Sequence, residues 1–184
     1  MRVVEAALPG VLLIEPRVHR DDRGFFVETY HAARYREARM PNEFVQDNQS
    51  RSLQGTLRGL HWQWRRPQAK LVRAIEGAIF DVAVDIRPES ATFGQWFGTE
   101  LTADNFRQMF IPVGFAHGFC VLSPFAQIEY KCTDYYDADG EGGLAWDDPD
   151  VAIAWPVASP ILSPRDRQHP RLVELFGRRP APRP

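Results

Sequence analysis

The sequence predicts a mainly all-β fold, a small antiparallel barrel or sandwich with little peripheral helix. Three observations carry this expectation. Two stretches alternate apolar and polar residues with period two, the mark of a half-buried strand. Aromatic residues, which favour strands, are plentiful at 12 Phe, 5 Tyr and 5 Trp. The 13 Gly and 15 Pro interrupt the chain too often for long helices.

Along the chain, residues 1–16 are broken by Glu5 and Pro9 and lack the basic–apolar–small order of a secretory signal. No run approaches the ~20 apolar residues of a membrane span, so a cytoplasmic protein is expected. Good helix formers at residues 31–40 (HAARYREARM), stopped by Pro41, predict the one clear helix. Residues 57–64 (LRGLHWQW) have the aromatic content of a strand. Phe80, Val82, Val84 and Ile86 alternate with Asp81, Ala83 and Asp85, and Ala126, Ile128, Tyr130 and Cys132 alternate with Gln127, Glu129, Lys131 and Thr133. Gly77, Gly94, Gly98 and Gly114 are expected at turns between such runs. Cys120 and Cys132 lie in apolar stretches and read as buried free thiols, since two cysteines make no disulfide framework. There is neither repeat nor linker, so residues 1–176 are expected to form one domain, with a Pro- and Arg-rich tail at 177–184 (GRRPAPRP). With 22 basic against 24 acidic side chains, bulk electrostatics does not hold this chain to nucleic acid or membrane, though a local basic cluster can still bind phosphate.

The chemistry begins at Gly55, followed by His61, Gln63, Lys70 and Gly77, and downstream by residues 112–119 (PVGFAHGF) with His117. This pattern resembles the two motifs of the cupin superfamily, antiparallel jelly-roll barrels. Metal-binding cupins offer His-x-His plus Glu in the first motif and a further His in the second. Here Gln63 stands at the second His, and Lys70 is the charged residue before the second glycine. An ammonium in the cavity repels a metal and favours developing negative charge, so no metal is expected. On regular strands His61 and Gln63 share a face, as do Ile128, Tyr130 and Cys132. Taken alone, Tyr130 reads as a core tyrosine that finds a hydrogen-bond partner, and His61 as a satisfied core histidine. Together with Lys70 and His117 they suggest one polar cavity, costly to desolvate unless it has a use. Strict alternation puts Arg58 opposite His61, while a bulge at Gly59 would re-aim it; both placements stay open.

Several longer motifs carry a closer resemblance. Residues 22–28 (DRGFFVE), Gln46-Asp47-Asn48, residues 55–73, 81–85 and 111–123, Tyr130-Lys131, Glu141, Trp146 to Pro149 and residues 162–166 (LSPRD) are similar to the dTDP-4-dehydrorhamnose 3,5-epimerases, over roughly residues 2–172. The resemblance implies inversion of the two carbons beside the ketone of a dTDP-linked 4-keto-6-deoxy sugar, with no cofactor. No G-x-G-x-x-G opens a helix here, in keeping with a reaction without hydride transfer. It implies His61 as base with Asp166 as its partner, Tyr130 as acid, and Lys70 at the enolate oxygen. It implies Arg23, Glu28, Gln46, Asp47, Asn48, Arg58, His117, Tyr136 and Glu141 on the nucleotide and sugar, with Phe25 or Tyr136 as candidates to stack on the base. Asp81 reads equally as a carboxylate that orients His117 and as a strand residue with a local hydrogen bond. Pairing as a homodimer is likewise implied. A mono-epimerase acting at C3 or C5 alone, a nucleotide-sugar binder without turnover, and a metal-dependent cupin are the alternatives. The complete acid–base set weighs against the binder, and Gln63 with Lys70 against the metal enzyme.

Overall fold

The computed structural model describes residues 1–41 and 43–177. The tail expected at 177–184 therefore lies, apart from Gly177, outside the described residues. In chain order the elements are β1 (Arg2–Glu5), β2 (Leu12–Glu15), β3 (Val18–Asp21), β4 (Gly24–Val27), α1 (Ala32–Glu37), β5 (Gln46–Leu53), β6 (Leu57–Gln63), β7 (Lys70–Glu76), β8 (Ala78–Asp85), β9 (Trp96–Thr102), β10 (Gln108–Ile111), β11 (Phe115–Val121), β12 (Phe125–Cys132), β13 (Glu141–Gly143) and α2 (Leu172–Phe176). Antiparallel pairing joins them into a six-stranded sheet, β1-β2-β10-β7-β12-β5, and a five-stranded sheet, β13-β6-β11-β8-β9, with β3-β4 as a separate hairpin. The alternating strands predicted a sandwich or barrel, and the cupin resemblance implied its form, an antiparallel jelly roll.

The principal core lies between the two sheets, where Val72, Ala74, Met109 and Ile128 meet Ile79, Ala83, Phe115 and Phe119. A second apolar layer covers the outside of the five-stranded sheet: Val82, Val84 and Ala116 pack beneath Leu144, Val151 and Leu172 from the C-terminal segment. A third covers the six-stranded sheet, with Tyr35 of α1 and Met40 just beyond the helix packed on Ile14, Leu71 and Phe110. Among the described residues no helix is long and apolar enough to cross a membrane. Cys120 and Cys132 are both buried and free.

Three local expectations change. The helix is shorter than residues 31–40: the chain leaves it at Ala38 and turns through Arg39, whose φ is +64°, to bury Met40 beside Tyr35. Gly98 sits inside β9 rather than at a turn, because a Cβ there would lie 2.4 Å from the Phe80 ring. β8 is covered on both faces rather than half-buried, its Phe80–Val82–Val84 side under the C-terminal segment and its Ile79–Ala83 side toward the barrel interior. Asp81 follows that inward side and is fully buried.

Candidate active site

Period-two geometry aims one row of side chains from each sheet into the barrel mouth. In the six-stranded sheet Tyr130 pairs across to Asn48 and Val72, and Cys132 to Gln46 and Lys70, so these polar groups share a face. His61 and Gln63 rise from β6 on the facing sheet, with Glu141 from β13 beside them. Together they line a cavity of about 320 Å³.

His61 Nε2 lies 2.6 Å from Asp166 Oδ1. Asp166 opens a short turn whose amide donates to Ser163 Oγ at 3.0 Å, which fixes the carboxylate under the imidazole. Burial favours the protonated acid, but the His61 hydrogen bond and charge, then Ser163, outweigh it and hold Asp166 below the usual carboxylate range. With Nε2 committed to Asp166, Nδ1 is the nitrogen left to accept a proton.

On the opposite wall, Lys70 Nζ lies 5.9 Å from the centroid of the Tyr130 ring. Burial is the main influence on both: it pulls Lys70 below the ordinary lysine range, against Cys132, Glu141 and Asp81, and it pushes the Tyr130 phenol up. At the rim Glu141 accepts from Tyr136 Oη at 2.7 Å and from Arg165 Nη1 at 2.6 Å. Burial alone would raise Glu141, yet these two donors and the neighbouring charges keep it low. The Tyr136 amide donates to Gln46 Oε1 at 2.8 Å, so the rim residues form one connected chain.

Arg58 joins the mouth because β6 carries a bulge. Opposite β11, His117 pairs with His61 while Phe119 pairs with Arg58, so β6 inserts one extra residue. Gly59 makes this possible: its φ is +126°, and a Cβ there would sit 2.6 Å from Gly118 Cα. Arg58 Nε donates to Ser52 Oγ at 3.0 Å, and its side chain lines a second opening, of about 360 Å³, with His61 and Asp166.

Other residues singled out from the sequence lie elsewhere in this chain. Asp47 falls between Gln46 and Asn48 and so faces outward, paired with Lys131 at 2.9 Å. His117 is buried beneath the cavity, its Nε2 2.7 Å from Asp81 Oδ1. Burial lowers the His117 pKa, with Asp81 opposing and the charges of Lys70 and His61 assisting. Arg23 is paired with Asp21 on the β3–β4 hairpin, with exposed Phe25, in a separate cleft; Glu28 pairs with Arg34 in another.

Two residues close to the His61–Asp166 pair escaped the sequence reading. Arg165 gave no signal beyond adjacency to Asp166. His169 stands at Asp166 plus three, the only hint that both lie on one turn. Its ring is edge-on to His61, with centroids 5.4 Å apart.

Fold and cavity define a class: a cupin-type jelly roll that presents a histidine–carboxylate pair on one wall and a tyrosine and lysine on the other. The family model for dTDP-4-dehydrorhamnose 3,5-epimerase matches residues 5–174. The chain is 54% identical over 170 residues to the dTDP-4-dehydrorhamnose 3,5-epimerase of Pseudomonas aeruginosa, covering 91% of this chain and 94% of that one. A Legionella pneumophila dTDP-6-deoxy-D-glucose-3,5-epimerase, solved in complex with dTDP-4-keto-L-rhamnose, superposes with a TM-score of 0.91 at 47% identity, covering 98% of this chain and 99% of that one. A 3'-monoepimerase from Streptomyces bikiniensis, solved with dTDP-quinovose, superposes at 0.87 with 32% identity, over 94% and 90% of the two chains. The chain belongs to the dTDP-4-dehydrorhamnose 3,5-epimerase family.

Proposed function

We propose that this isomerase inverts C3 and C5 of dTDP-4-dehydro-6-deoxy-glucose, giving dTDP-4-dehydro-L-rhamnose, within one domain spanning residues 1–176. The observation that carries the reading is the His61–Asp166 pair at 2.6 Å, facing Tyr130 and Lys70 across one cavity. A C–H beside the C4 ketone becomes acidic only as its electrons move onto the C4 oxygen. His61 Nδ1 takes that proton, and Asp166 stabilises the imidazolium through Nε2. The electron pair becomes the enolate oxygen, beside the Lys70 ammonium. Tyr130 returns a proton to the same carbon from the opposite face, which inverts it. The sequence then repeats at the second carbon. Each inversion protonates His61 and deprotonates Tyr130, so both exchange with solvent between turns. No electrons leave the substrate, and no redox cofactor is required.

The rim of Gln46, Asn48, Arg58, Tyr136 and Glu141 suits the sugar and diphosphate, with Arg58 offering paired donors to phosphate oxygens. Arg23 and Glu28 lie outside this cavity in a single chain. A homodimer that lends the β3–β4 hairpin, with its exposed Phe25 and Phe26, to a partner's cavity would bring them to the nucleotide.

The test is NMR of the protein with dTDP-4-dehydro-6-deoxy-glucose in D₂O. Deuterium entering both C3 and C5 supports the 3,5-epimerase. Exchange at one carbon makes it a mono-epimerase, and binding without exchange removes the catalytic reading.

A further inference from the structure

The His61–Asp166 pair is part of a larger cluster. His169 Nε2 lies 3.3 Å from the same Asp166 Oδ1 that His61 approaches at 2.6 Å, and one ligand atom from each of the three residues falls within 4.8 Å of the others. The His169 side chain is 8% exposed, and its Nε2 is buried with no hydrogen-bond partner among the described residues. The ring is held there by backbone: a Cβ on Gly143 would sit 2.0 Å from His169 Nδ1, so only glycine leaves it room. A buried imidazole nitrogen 3.3 Å from a carboxylate oxygen, without an aligned hydrogen bond, is satisfied by a proton or a cation placed between the two.

We propose that His61, Asp166 and His169 form a binding site for a divalent transition-metal ion, with zinc the best fit, and that an ion bound there switches the epimerase off. A tetrahedral zinc with bonds of about 2.0–2.1 Å holds its donors roughly 3.3 Å apart. The Asp166–His169 separation already has that value; His61 needs to draw back from Asp166 by less than one ångström, while the two imidazole nitrogens, within 4.8 Å of one another, close to the same spacing. Two imidazoles and one carboxylate suit zinc or cobalt, whereas magnesium and calcium ask for oxygen donors. The opening of about 360 Å³ beside His61 and Asp166 gives the ion access and leaves a fourth position for water. Arg58 and Arg165 oppose a cation at this opening, but each is turned aside, to Ser52 and to Glu141.

Inhibition follows from the tautomer. Without metal, Nε2–H of His61 donates to Asp166 and the Nδ1 lone pair is free. A metal on Nε2 moves the ring proton to Nδ1, and the base has no lone pair left for the substrate. No net proton is lost and no covalent bond to substrate is involved.

The metal-binding part stands independently of the epimerase reading; the inhibition part rests on it. The experiment therefore has two readouts. Cobalt(II) added to the full-length protein is expected to give the intense visible absorption of a four-coordinate site, lost when zinc displaces it. In the D₂O exchange assay zinc is expected to stop exchange, chelator to restore it, and magnesium to do neither. Losing even a partner of a ligand costs a metal site about 10–100-fold in affinity. Relative to its own metal-free rate, His169→Asn should thus need at least about tenfold more zinc for half-inhibition. A wild-type protein without the cobalt absorption, or a His169→Asn variant inhibited at the wild-type zinc concentration, overturns the proposal. Absence of exchange even without metal counts against the epimerase reading alone, because the cobalt readout remains.

Discussion

His61 and His117 sit directly opposite one another on adjacent strands β6 and β11, yet a different carboxylate holds each ring. Asp166 holds His61 at 2.6 Å and Asp81 holds His117 at 2.7 Å. The two pairs differ in water access: the His61 side chain is 28% exposed and that of His117 is 7%. A base that must release a proton every turn needs that access. A sealed histidine instead supports the cavity floor and adds no charge to the field around Lys70.

Neutralising the carboxylate tests the first pair. Asp166→Asn keeps the shape but withdraws the charge that stabilises the imidazolium and selects its tautomer. Loss of this carboxylate in a comparable acid–base pair costs about 10⁴ in kcat. A fall of roughly 10³–10⁴ in kcat with a preserved thermal transition is expected, measured by exchange NMR and calorimetry. A variant within tenfold of wild type would remove Asp166 from the mechanism. His61→Ala should abolish exchange at both carbons.

Lys70→Ala removes the one ammonium among the cavity-lining residues. One lost oxyanion donor costs about 10²–10³ in kcat. A drop of that size with little change in KM is expected from steady-state kinetics. A change confined to KM would make Lys70 a binding residue.

Strand alternation made the barrel legible, because a period of two survives whatever packs around it. It also put Tyr130 and Cys132 on one face without any knowledge of their neighbours. Alternation failed to say which face of β8 was interior, since the C-terminal segment buries the other side as well. At β6 it failed for a different reason: one extra residue inverts the parity of everything before it, and Gly59 permits such a residue without announcing it. His169 and Arg165 were invisible because their meaning comes from the loop that returns Asp166 to β6, a contact 105 residues apart in sequence. Arg23 and Glu28 matched motifs, but motif matching carries no information about which cavity a side chain reaches.

Two histidines with buried side chains, His117 and His169, set a pH dependence of stability. Burial depresses His117, and it also depresses His169, where the charge of His61 assists and Asp166 opposes. Their values in the unfolded chain are near 6.5. Below that pH the unfolded chain binds protons that the folded chain refuses, so stability falls as pH falls, until the depressed folded values are passed. Each histidine contributes at most about 1.4 kcal/mol per pH unit in that window. The melting temperature should be flat from pH 8 to 7 and decline from pH 6.5 to 5.5. His117→Asn should flatten that decline even though it lowers the melting temperature at every pH. An unchanged slope would assign the dependence to other groups.

The bulge at Gly59 links packing to catalysis most directly. Gly59→Ala would place a methyl 2.6 Å from Gly118 Cα and 2.8 Å from the His117 carbonyl oxygen, both backbone atoms of the neighbouring strand that no rotamer change can move. Its φ of +126° adds strain for any residue with a side chain. Overpacking against fixed backbone costs about 1–3 kcal/mol, and the dihedral strain adds to it. For a chain of this length, about 3 kcal/mol lowers the melting temperature by roughly 6–12 °C. Gly55→Ala is the comparison, since Gly55 also has a positive φ, +75°, but a Cβ there meets nothing within 4 Å. It should lose about 1 kcal/mol through strain alone. If the clash drives β6 away from β11, His61 moves with it, and Gly59→Ala should lose activity at temperatures where it is still folded while Gly55→Ala keeps its rate. Equal melting temperatures for the two variants would mean that the strands part at no cost, and that the close approach at Gly59 does not hold His61 in place.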